Sequence, residues 1–383
     1  MISIYIISVM AALLTPVNEP RFESQVVDAN VAIGYGLAIG DVDGNGKADI
    51  LLADKKEFVW YRNGDWKRFV MVGDLTESDN VCIAARDIDG DGKVEVAVGA
   101  QWNPGETSDA EKSGSVHYLV RPDDPTQKWT AVKLHHEPTI HRMHWVKTGD
   151  RYQLIVLPLH GRGNKDGEGQ GVKVTAYEVP DDPSGAWKHS FIDESMHLTH
   201  NFDPLDHNGS ERLYIGGKEG IKIMDFEKGA WVTPSSDAWF MQGNGVGEVR
   251  VGRMKGNDHF ITTIEPMHGN QLVVYADGND RARTALTSDL RQGHALATAD
   301  LLGMGSDQIV AGWREANDEN KFGVKLYVAQ NEGYTVWKDY WIDEGGMACE
   351  DLKIADLDGD GLDDIIAAGR ATHNLKIYWN RSK

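Results

Sequence analysis

The 383-residue chain is predicted to be all-β, a seven-bladed β-propeller in which an N-terminal strand closes the last blade. Three observations predict this fold. An acidic, glycine-rich loop recurs between two apolar strands, other segments keep the same strand–turn–strand outline, and the chain ends one strand short of a complete repeat. Units of four short strands with variable loops are typical of propeller blades.

The acidic loop of the form D-x-D-G-x-G-x-x-[DE] marks three close copies of the repeat. They are LAIGDVDGNGKADILLA (37–53), IAARDIDGDGKVEVAVGA (83–100) and LKIADLDGDGLDDIIAAG (352–369). A fourth copy, LATADLLGMGSDQIVAGW (296–313), keeps the frame but has lost the acidic residues of the loop, and three weaker copies lie at 144–161, 201–217 and 249–266. The first loop residues then fall 46 to 60 residues apart, at Asp41, Asp87, Lys147, Asp206, Met254, Asp300 and Asp356.

The two ends of the chain predict how the ring closes. The seventh unit ends at LKIYWNRSK, one strand short, and RFESQVVD (21–28) is predicted to supply the missing outer strand. This closure removes sheet edges that would otherwise pair with other chains. An open β-solenoid is the alternative, but it leaves the fit between the N-terminal strand and the C-terminal vacancy unexplained. The propeller is therefore predicted over residues 21–383.

Charge and composition limit the classes of partner. The formal net charge is −20, and such a negative field disfavours nucleic acid and anionic membranes. The two cysteines, Cys82 and Cys349, form no CxxC motif, so the sequence carries neither a redox nor a zinc-knuckle signature.

The N-terminus is predicted to be a signal peptide, over residues 1–20. Residues 2–14 (ISIYIISVMAALL) are apolar, uncharged and too short to span a membrane comfortably, and a polar segment with proline follows. The protein is therefore predicted to be secreted or periplasmic. No basic residue precedes the apolar run and no A-x-A site follows it, so a misassigned start codon or a buried N-terminal segment is the alternative.

The three acidic loops are predicted to bind Ca²⁺. This cation takes six to eight oxygen ligands, which acidic side chains at loop positions 1, 3, 5 and 9 and a carbonyl at position 7 can supply. The loops lack a glutamate at position 12 and flanking helices, so they are not EF-hands, and a structural role is favoured over a regulatory or catalytic one. The predicted ligands are Asp41, Asp43, Asn45, Asp49, Asp87, Asp89, Asp91, Glu95, Asp356, Asp358, Asp360 and Asp364.

Histidines recur at one position of the repeat, six residues before the first loop residue. In a propeller the innermost strand runs along the central channel, so this position should lie at the upper channel mouth, opposite the acidic loops. It is occupied in chain order by Tyr35, Val81, His141, His200, Glu248, His294 and Glu350. Loops between the second and third strands should reach the same face, and they add His160, Arg162, Lys218, His268, Arg314 and Arg370.

Three histidines with a carboxylate around one axis suit Zn²⁺ or Mn²⁺ with an open position for substrate. The predicted ligands are His141, His200 and His294, with Glu248 or Glu350 completing the shell. The predicted acid or base is His160, His268 or Tyr35, and the groups predicted to neutralise an acidic or enolate oxygen are Arg162, Arg314 and Lys218. Simple pairing of the two glutamates with Arg250 or Arg370 is the alternative.

The repeats resemble the FG-GAP/VCBS family, known from integrin heads and many secreted bacterial proteins. The segments LHHEPTIHRMHW, LPLHGRG, MHLTHN and RQGHAL, together with the acidic blades, resemble the propeller domain of the fungal aldos-2-ulose dehydratases. That resemblance implies β-elimination on keto sugars such as 1,5-anhydro-fructose, and it does not extend to the cupin domains of that family. Seven-bladed polysaccharide lyases, such as oligogalacturonide and ulvan lyases, are similar in outline, and some hold Mn²⁺ or Zn²⁺ with histidines.

Both resemblances imply removal of a proton next to a carbonyl or carboxylate and loss of the β-oxygen. The sequence therefore predicts a metal-dependent sugar lyase or dehydratase that binds a carbohydrate small molecule or an oligosaccharide. The alternative is a non-catalytic secreted propeller that binds glycan or protein. A purely structural repeat protein gives no reason for histidines to converge at one position of the repeat.

Overall fold

The computed structural model describes residues 19–234, 245–256, 258–276 and 282–382. Across these ranges the regular elements are 28 β-strands in seven four-stranded antiparallel sheets, and no helix is present that could span a membrane. This architecture confirms the predicted seven-bladed propeller. The predicted signal peptide lies almost entirely outside the described residues.

Each of the first three blades is formed by four consecutive strands. The first contains β2 (Gly36–Gly40), β3 (Asp49–Ala53), β4 (Glu57–Tyr61) and β5 (Arg68–Gly73). The second contains β6 (Cys82–Arg86), β7 (Glu95–Ala100), β8 (Ser115–Val120) and β9 (Thr130–Lys133). The third contains β10 (Ile140–Thr148), β11 (Arg151–Pro158), β12 (Val174–Glu178) and β13 (Lys188–Asp193).

The next three blades repeat this order. The fourth contains β14 (Thr199–His207), β15 (Ser210–Gly217), β16 (Gly220–Glu227) and β17 (Ala230–Val232). The fifth contains β18 (Glu248–Arg253), β19 (His259–Glu265), β20 (Gln271–Ala276) and β21 (Arg283–Thr287). The sixth contains β22 (Gly293–Ala299), β23 (Gln308–Trp313), β24 (Gly323–Ala329) and β25 (Trp337–Glu344).

The seventh blade joins the two ends of the chain, as predicted. It contains β26 (Cys349–Ala355), β27 (Asp364–Gly369), β28 (Asn374–Asn380) and, at its outer edge, β1 (Phe22–Asp28). Strand β1 runs antiparallel to β28, from the pair Phe22–Asn380 to the pair Asp28–Leu375. The edge that β28 would otherwise expose is therefore paired within the same chain.

The hydrophobic core lies between neighbouring blades. Central strands such as β7 and β27 are buried along their whole length because both faces of the sheet pack against another blade. The innermost strands contact one another in ring order, and the contact between β26 and β2 closes the ring. Seven innermost strands thus surround one channel, whose upper mouth receives the first residues of each strand.

Candidate metal centre

The innermost strands of four blades each begin with a β-bulge. In each, the register skips one residue, and the skipped residues are His141, His200, His294 and Glu350. A bulge leaves one residue without a partner and redirects its side chain, and bulges are over-represented next to active sites. Four of the residues predicted at the channel mouth are therefore bulge residues, whose side chains can point toward the channel.

A cavity of about 670 Å³ opens at this upper mouth and is called the upper cavity below. The predicted site residues that line it are Tyr35, His141, His200, His268, His294, Arg314 and Glu350. These residues come from six of the seven blades, so side chains at one fixed position of the repeat do reach a common space. Trp102, Arg142 and Gln292 also line the cavity and were not among the predicted site residues.

Three of these histidines converge, and together they are called the histidine trio: His200, His268 and His294. One ring nitrogen of each lies within 4.8 Å of those of the other two. The Nε2 atoms of His200 and His268 are 2.7 Å apart. Because two facing lone pairs repel, nitrogens this close must share a proton or a cation.

Behind the trio, the Nδ1 atoms of His294 and His200 face other groups, so Nε2 of each ring is the nitrogen available to a ligand. His294 donates from Nδ1 to the backbone oxygen of Glu350 at 2.6 Å. The Nδ1 of His200 lies 3.1 Å from the carboxylate of Glu248, with both side chains fully buried. A second partner that engages one ring nitrogen fixes the tautomer of the other, which is the usual arrangement behind a metal-bound histidine. The residues present therefore fit a divalent cation held by three Nε2 atoms.

His268 completes the trio from the turn between β19 and β20. Its backbone adopts the left-handed region, with φ of 51°, a conformation that costs free energy in a non-glycine residue and is found at functional sites. Burial, with a contribution from the neighbouring His200, lowers the pKa of His268 to about 3. Burial also lowers the pKa of His200 and holds that of His294 well below the usual range. All three rings are thus neutral near pH 7, the form that binds metals.

The two predicted carboxylate ligands stand behind the histidines and are paired with arginines. Glu248 accepts from Asn201 at 2.7 Å and lies 3.2 Å from Arg250. Burial opposes its ionisation, but His200 and Arg250 overcome that effect and lower the pKa of Glu248 to about 2. Glu350 accepts from Arg314 at 3.1 Å and from Arg370 at 3.2 Å. Both glutamates are therefore paired with arginines, and these ion pairs lie behind the trio and orient it.

His141 lines the upper cavity but lies outside the trio. Its Nδ1 donates to the backbone oxygen of His200 at 2.7 Å, and its ring lies 5.2 Å from that of Trp102. The hydrogen bond leaves Nε2 as its remaining basic atom, which faces Arg142 at 3.4 Å. The structure thus groups His268 with His200 and His294, where the sequence predicted His141 in that place.

Tyr35 is placed in the cavity as predicted. Its hydroxyl donates to Asp79 at 3.3 Å, and the guanidinium of Arg370 lies 5.4 Å from its ring centre. Burial raises the pKa of Tyr35 to about 12. The phenol is therefore protonated at neutral pH and can donate a proton inside the cavity.

Four predicted residues do not line the upper cavity, and one of them is the buried Glu248 described above. Arg162 donates to Glu137 at 3.1 Å, and Lys218 is exposed and donates to Glu168 at 2.9 Å. Just after β11, Leu159 lines the cavity and the next residue, His160, does not, because adjacent residues of an extended chain point to opposite sides. The long connection after β11 carries His160 and Arg162 outside the upper cavity, and Lys218 lies in the short turn between β15 and β16.

The acidic loops lie at the other end of the innermost strands, and all three fold alike. In the first, the carboxylate of Asp41 accepts from the backbone N–H groups of Gly44 and Gly46, each at 2.7 Å, and both glycines have positive φ. Asp87 and Asp356 accept from the matching glycines of their loops. Carboxylate oxygens within 4.8 Å of one another come from Asp41, Asp43 and Asp49, from Asp87, Asp89 and Glu95, and from Asp356, Asp358 and Asp360.

The ninth loop residue is buried in each of these loops. Burial raises the pKa of Asp49 to about 6, that of Glu95 to about 7 and that of Asp364 to about 6. These carboxylates accept from the N–H groups of Val42, Ile88 and Leu357 at the start of the loop. A buried carboxylate that accepts backbone hydrogen bonds and lies beside further acidic groups is a suitable environment for a hard cation.

Comparison with known proteins agrees with the propeller fold. Residues 31–98 match the FG-GAP-like repeat, and residues 113–278 match the β-propeller domain of aldos-2-ulose dehydratase. The aldos-2-ulose dehydratase of Phanerodontia chrysosporium is 24% identical over 263 residues, which cover 63% of this chain. The chain spans only 28% of the length of that relative. The segment that matches the β-propeller domain, residues 113–278, contains His200 and His268 but not His294.

Solved structures share the fold at low sequence identity. A chain in the crystal structure of the mitotic checkpoint complex superposes with a TM-score of 0.58 at 10% identity, covering 99% of this chain and 98% of that one. A chain in the crystal structure of BBS1N in complex with ARL6DN gives 0.55 at 11% identity, covering 97% and 98%. These similarities concern the architecture alone. Taken with the repeat and domain matches, they describe a seven-bladed β-propeller that carries an FG-GAP-like repeat at residues 31–98 and resembles the propeller domain of aldos-2-ulose dehydratase.

Proposed function

We propose that the chain is a metal-dependent carbon–oxygen lyase, a dehydratase or sugar lyase that acts on a keto sugar or a uronate in the upper cavity. The observation that carries this proposal is the convergence of three histidine nitrogens within 4.8 Å at a 670 Å³ opening. The similarity to a dehydratase propeller supports the reaction class.

The histidine trio would hold Zn²⁺ or Mn²⁺. Three protein ligands leave a position open for substrate, which is the pattern of catalytic rather than structural sites. When bound, the cation would polarise a carbonyl or carboxylate oxygen of the substrate and make the adjacent C–H more acidic.

The other cavity residues would manage the protons of the β-elimination. His141, neutral and with Nε2 as its basic atom, would accept the proton from the acidified carbon. Tyr35 would protonate the departing oxygen, with Asp79 orienting its hydroxyl. The C–H and C–O bonds break, a C=C bond forms, and the oxygen leaves as water or an alcohol.

The acidic loops are proposed to bind structural Ca²⁺ at the opposite face, which would leave the upper cavity as the place of chemistry. Their carboxylate groups lie on the connections between the first and second strands of three blades. The trio lies instead at the start of the innermost strands and in one turn between the second and third strands.

The test is an assay of the purified protein with keto sugars and uronate oligomers, following the unsaturated product by ultraviolet absorbance. We expect the double variant His200→Ala, His294→Ala to lose more than roughly 100-fold in rate, since loss of an outer-shell partner alone typically costs 10- to 100-fold. The matched control is His135→Ala, His189→Ala, a stacked histidine pair outside the cavity, and it should keep wild-type activity. Full activity of the first double variant would refute the proposal, and glycan binding without turnover or transition metal would favour a non-catalytic binding protein.

A further inference from the structure

Arg142 is a buried cation of the upper cavity that the proposed reaction leaves without a role. It follows the bulge residue His141 on β10 and is 8% exposed. It lines both the upper cavity and a small cavity of about 20 Å³ in the channel. Among the described residues it bonds only to its neighbour, from Nη1 to the backbone oxygen of His141 at 3.1 Å and to the ring Nε2 at 3.4 Å.

The other cations that line these two cavities are all paired with carboxylates. Arg250 lies 3.2 Å from Glu248, and Lys353 lies 3.2 Å from Asp351. The remaining two, which share the carboxylate of Glu350, are Arg314 and Arg370. Within the described part of the chain, Arg142 has no carboxylate within 4.0 Å. A buried charge without a partner is costly, so packing alone gives no reason for an arginine here.

The upper cavity is positive although the protein as a whole is strongly negative. Three arginines and two glutamates line it, which gives a formal charge of +1 with neutral histidines, against −20 for the whole chain. After burial, the charge of Arg142 is among the causes that lower the pKa of His141, His200, His268 and His294. A divalent cation on the trio would add to this positive potential. The cavity therefore carries one positive charge in excess, which a negatively charged ligand can compensate.

We infer that Arg142 binds a carboxylate of the substrate, so that the substrate class is sugar acids of the uronate type rather than neutral keto sugars. This inference rests on the proposed function in placing the substrate in the upper cavity. A guanidinium stays charged at any physiological pH and presents paired donors that match a carboxylate. In a uronate the acidic C–H lies on the carbon that bears the carboxylate, so a carboxylate held at Arg142 brings that C–H beside His141 and the trio.

The direct test is calorimetric binding of galacturonate and of galactose, its neutral counterpart, with and without added zinc. The wild-type protein should bind galacturonate at least about tenfold more tightly than galactose. Arg142→Met should abolish that preference, and Arg142→Lys should keep part of it because the charge remains. Salt should weaken galacturonate binding to the wild type and leave galactose binding unchanged.

Thermal unfolding of two arginine variants separates lost binding from lost folding. Arg142→Met leaves no carboxylate unpaired, so its melting temperature should equal or exceed that of the wild type. Arg250→Met is the matched control, because Arg250 is equally buried but its removal strips a cation from the fully buried Glu248. It should melt at a clearly lower temperature.

The outcomes separate this inference from the proposed function. Equal affinity for the two sugars would overturn the inference, even if keto sugars are converted to unsaturated product. The inference would also fail if Arg142→Met slowed turnover of a neutral sugar while galacturonate binding stayed unchanged. If galacturonate binding depends on Arg142 but the protein binds no transition metal and shows no turnover, the inference is supported and only the proposed function is refuted.

Discussion

His200 and His294 each occupy the extra position of a β-bulge, and each has its Nδ1 engaged by a group behind it. The bulge turns the ring toward the channel, and the partner behind it determines which nitrogen is left for a ligand. Tyr35 and His141 lie around the trio with complementary proton chemistry, since the phenol holds its proton and the imidazole is neutral. The proposed acid and base are thereby distinguished by their environments.

Tyr35→Phe should lower kcat by about 100-fold or more with little change in KM, because it removes a proton donor and keeps the ring. Steady-state kinetics with the best sugar substrate measure this effect. The control is Tyr177→Phe, another buried tyrosine, whose hydroxyl bonds to a backbone oxygen outside the cavity. Unchanged kcat in Tyr35→Phe would remove Tyr35 from the mechanism.

The residues of the channel mouth were predictable only as far as the repeat is regular. A fixed offset from the acidic loop placed Tyr35, His200 and His294 at the cavity, because every innermost strand starts at the same height. The bulges carry no sequence signal. In a regular strand, a channel-facing His141 would leave Arg142 facing away from the channel, so Arg142 was not predicted at the cavity. His160 was misplaced because alternation along the extended chain gives the cavity-facing position to Leu159. Only tertiary distances show that His268 joins the trio.

The acidic loops are compact units whose carboxylates are largely satisfied by the backbone of the same loop. Asp41 and its counterparts hold the glycine turns, while a buried carboxylate such as Asp49 ties the loop to the start of the second strand. Several carboxylates within 4.8 Å repel one another, and Ca²⁺ would remove that repulsion. Bound calcium would therefore stabilise three blades at the face opposite the trio.

Removal of calcium with excess EGTA should lower the melting temperature by on the order of 5 °C, because an ion that binds only the folded state stabilises that state. Asp87→Asn with Asp89→Asn should reduce the effect of EGTA, which differential scanning calorimetry can measure. Asp300→Asn in the sixth blade is the control, since that carboxylate also accepts two backbone N–H bonds of its own loop but belongs to none of the three acidic clusters. A melting temperature unaffected by EGTA would argue against the calcium sites.

The blades themselves were predictable from the sequence because strand, acidic loop and strand recur with one frame. The closing strand was predictable for the same reason, since a missing fourth strand at one end matched a spare strand at the other. The weaker repeats that lack the complete acidic motif, such as 201–217, still form a blade because each of their strands keeps a run of buried residues.

Taken as a whole, the propeller buries several histidines in their neutral form inside a strongly acidic chain. His117 on β8 is an example outside the upper cavity, 6% exposed, and burial followed by the charge of Lys133 lowers its pKa to about 4. An unfolded histidine takes up a proton near pH 6.5, whereas folded His117 does so only near pH 4. The unfolded state therefore gains protons first on acidification, and folding stability falls from pH 6.5 to pH 4.

His117→Gln should weaken this acid sensitivity by on the order of 2 kcal/mol between pH 6.5 and pH 4, since glutamine does not titrate. Urea unfolding at a series of pH values measures the slope. His189→Gln, at an exposed position on β13, should keep the wild-type slope. Equal slopes in all three proteins would show that burial of His117 is not linked to acid unfolding.

Anomalous scattering from crystals of the protein grown with zinc or manganese tests the proposed metal centre most directly. Data collected above and below the absorption edge identify the metal and locate it in one experiment. We predict one transition-metal peak between the ring nitrogens of His200, His268 and His294. Absence of that peak at the trio, with the metal present at saturating concentration, would contradict a metal-dependent reaction in the upper cavity.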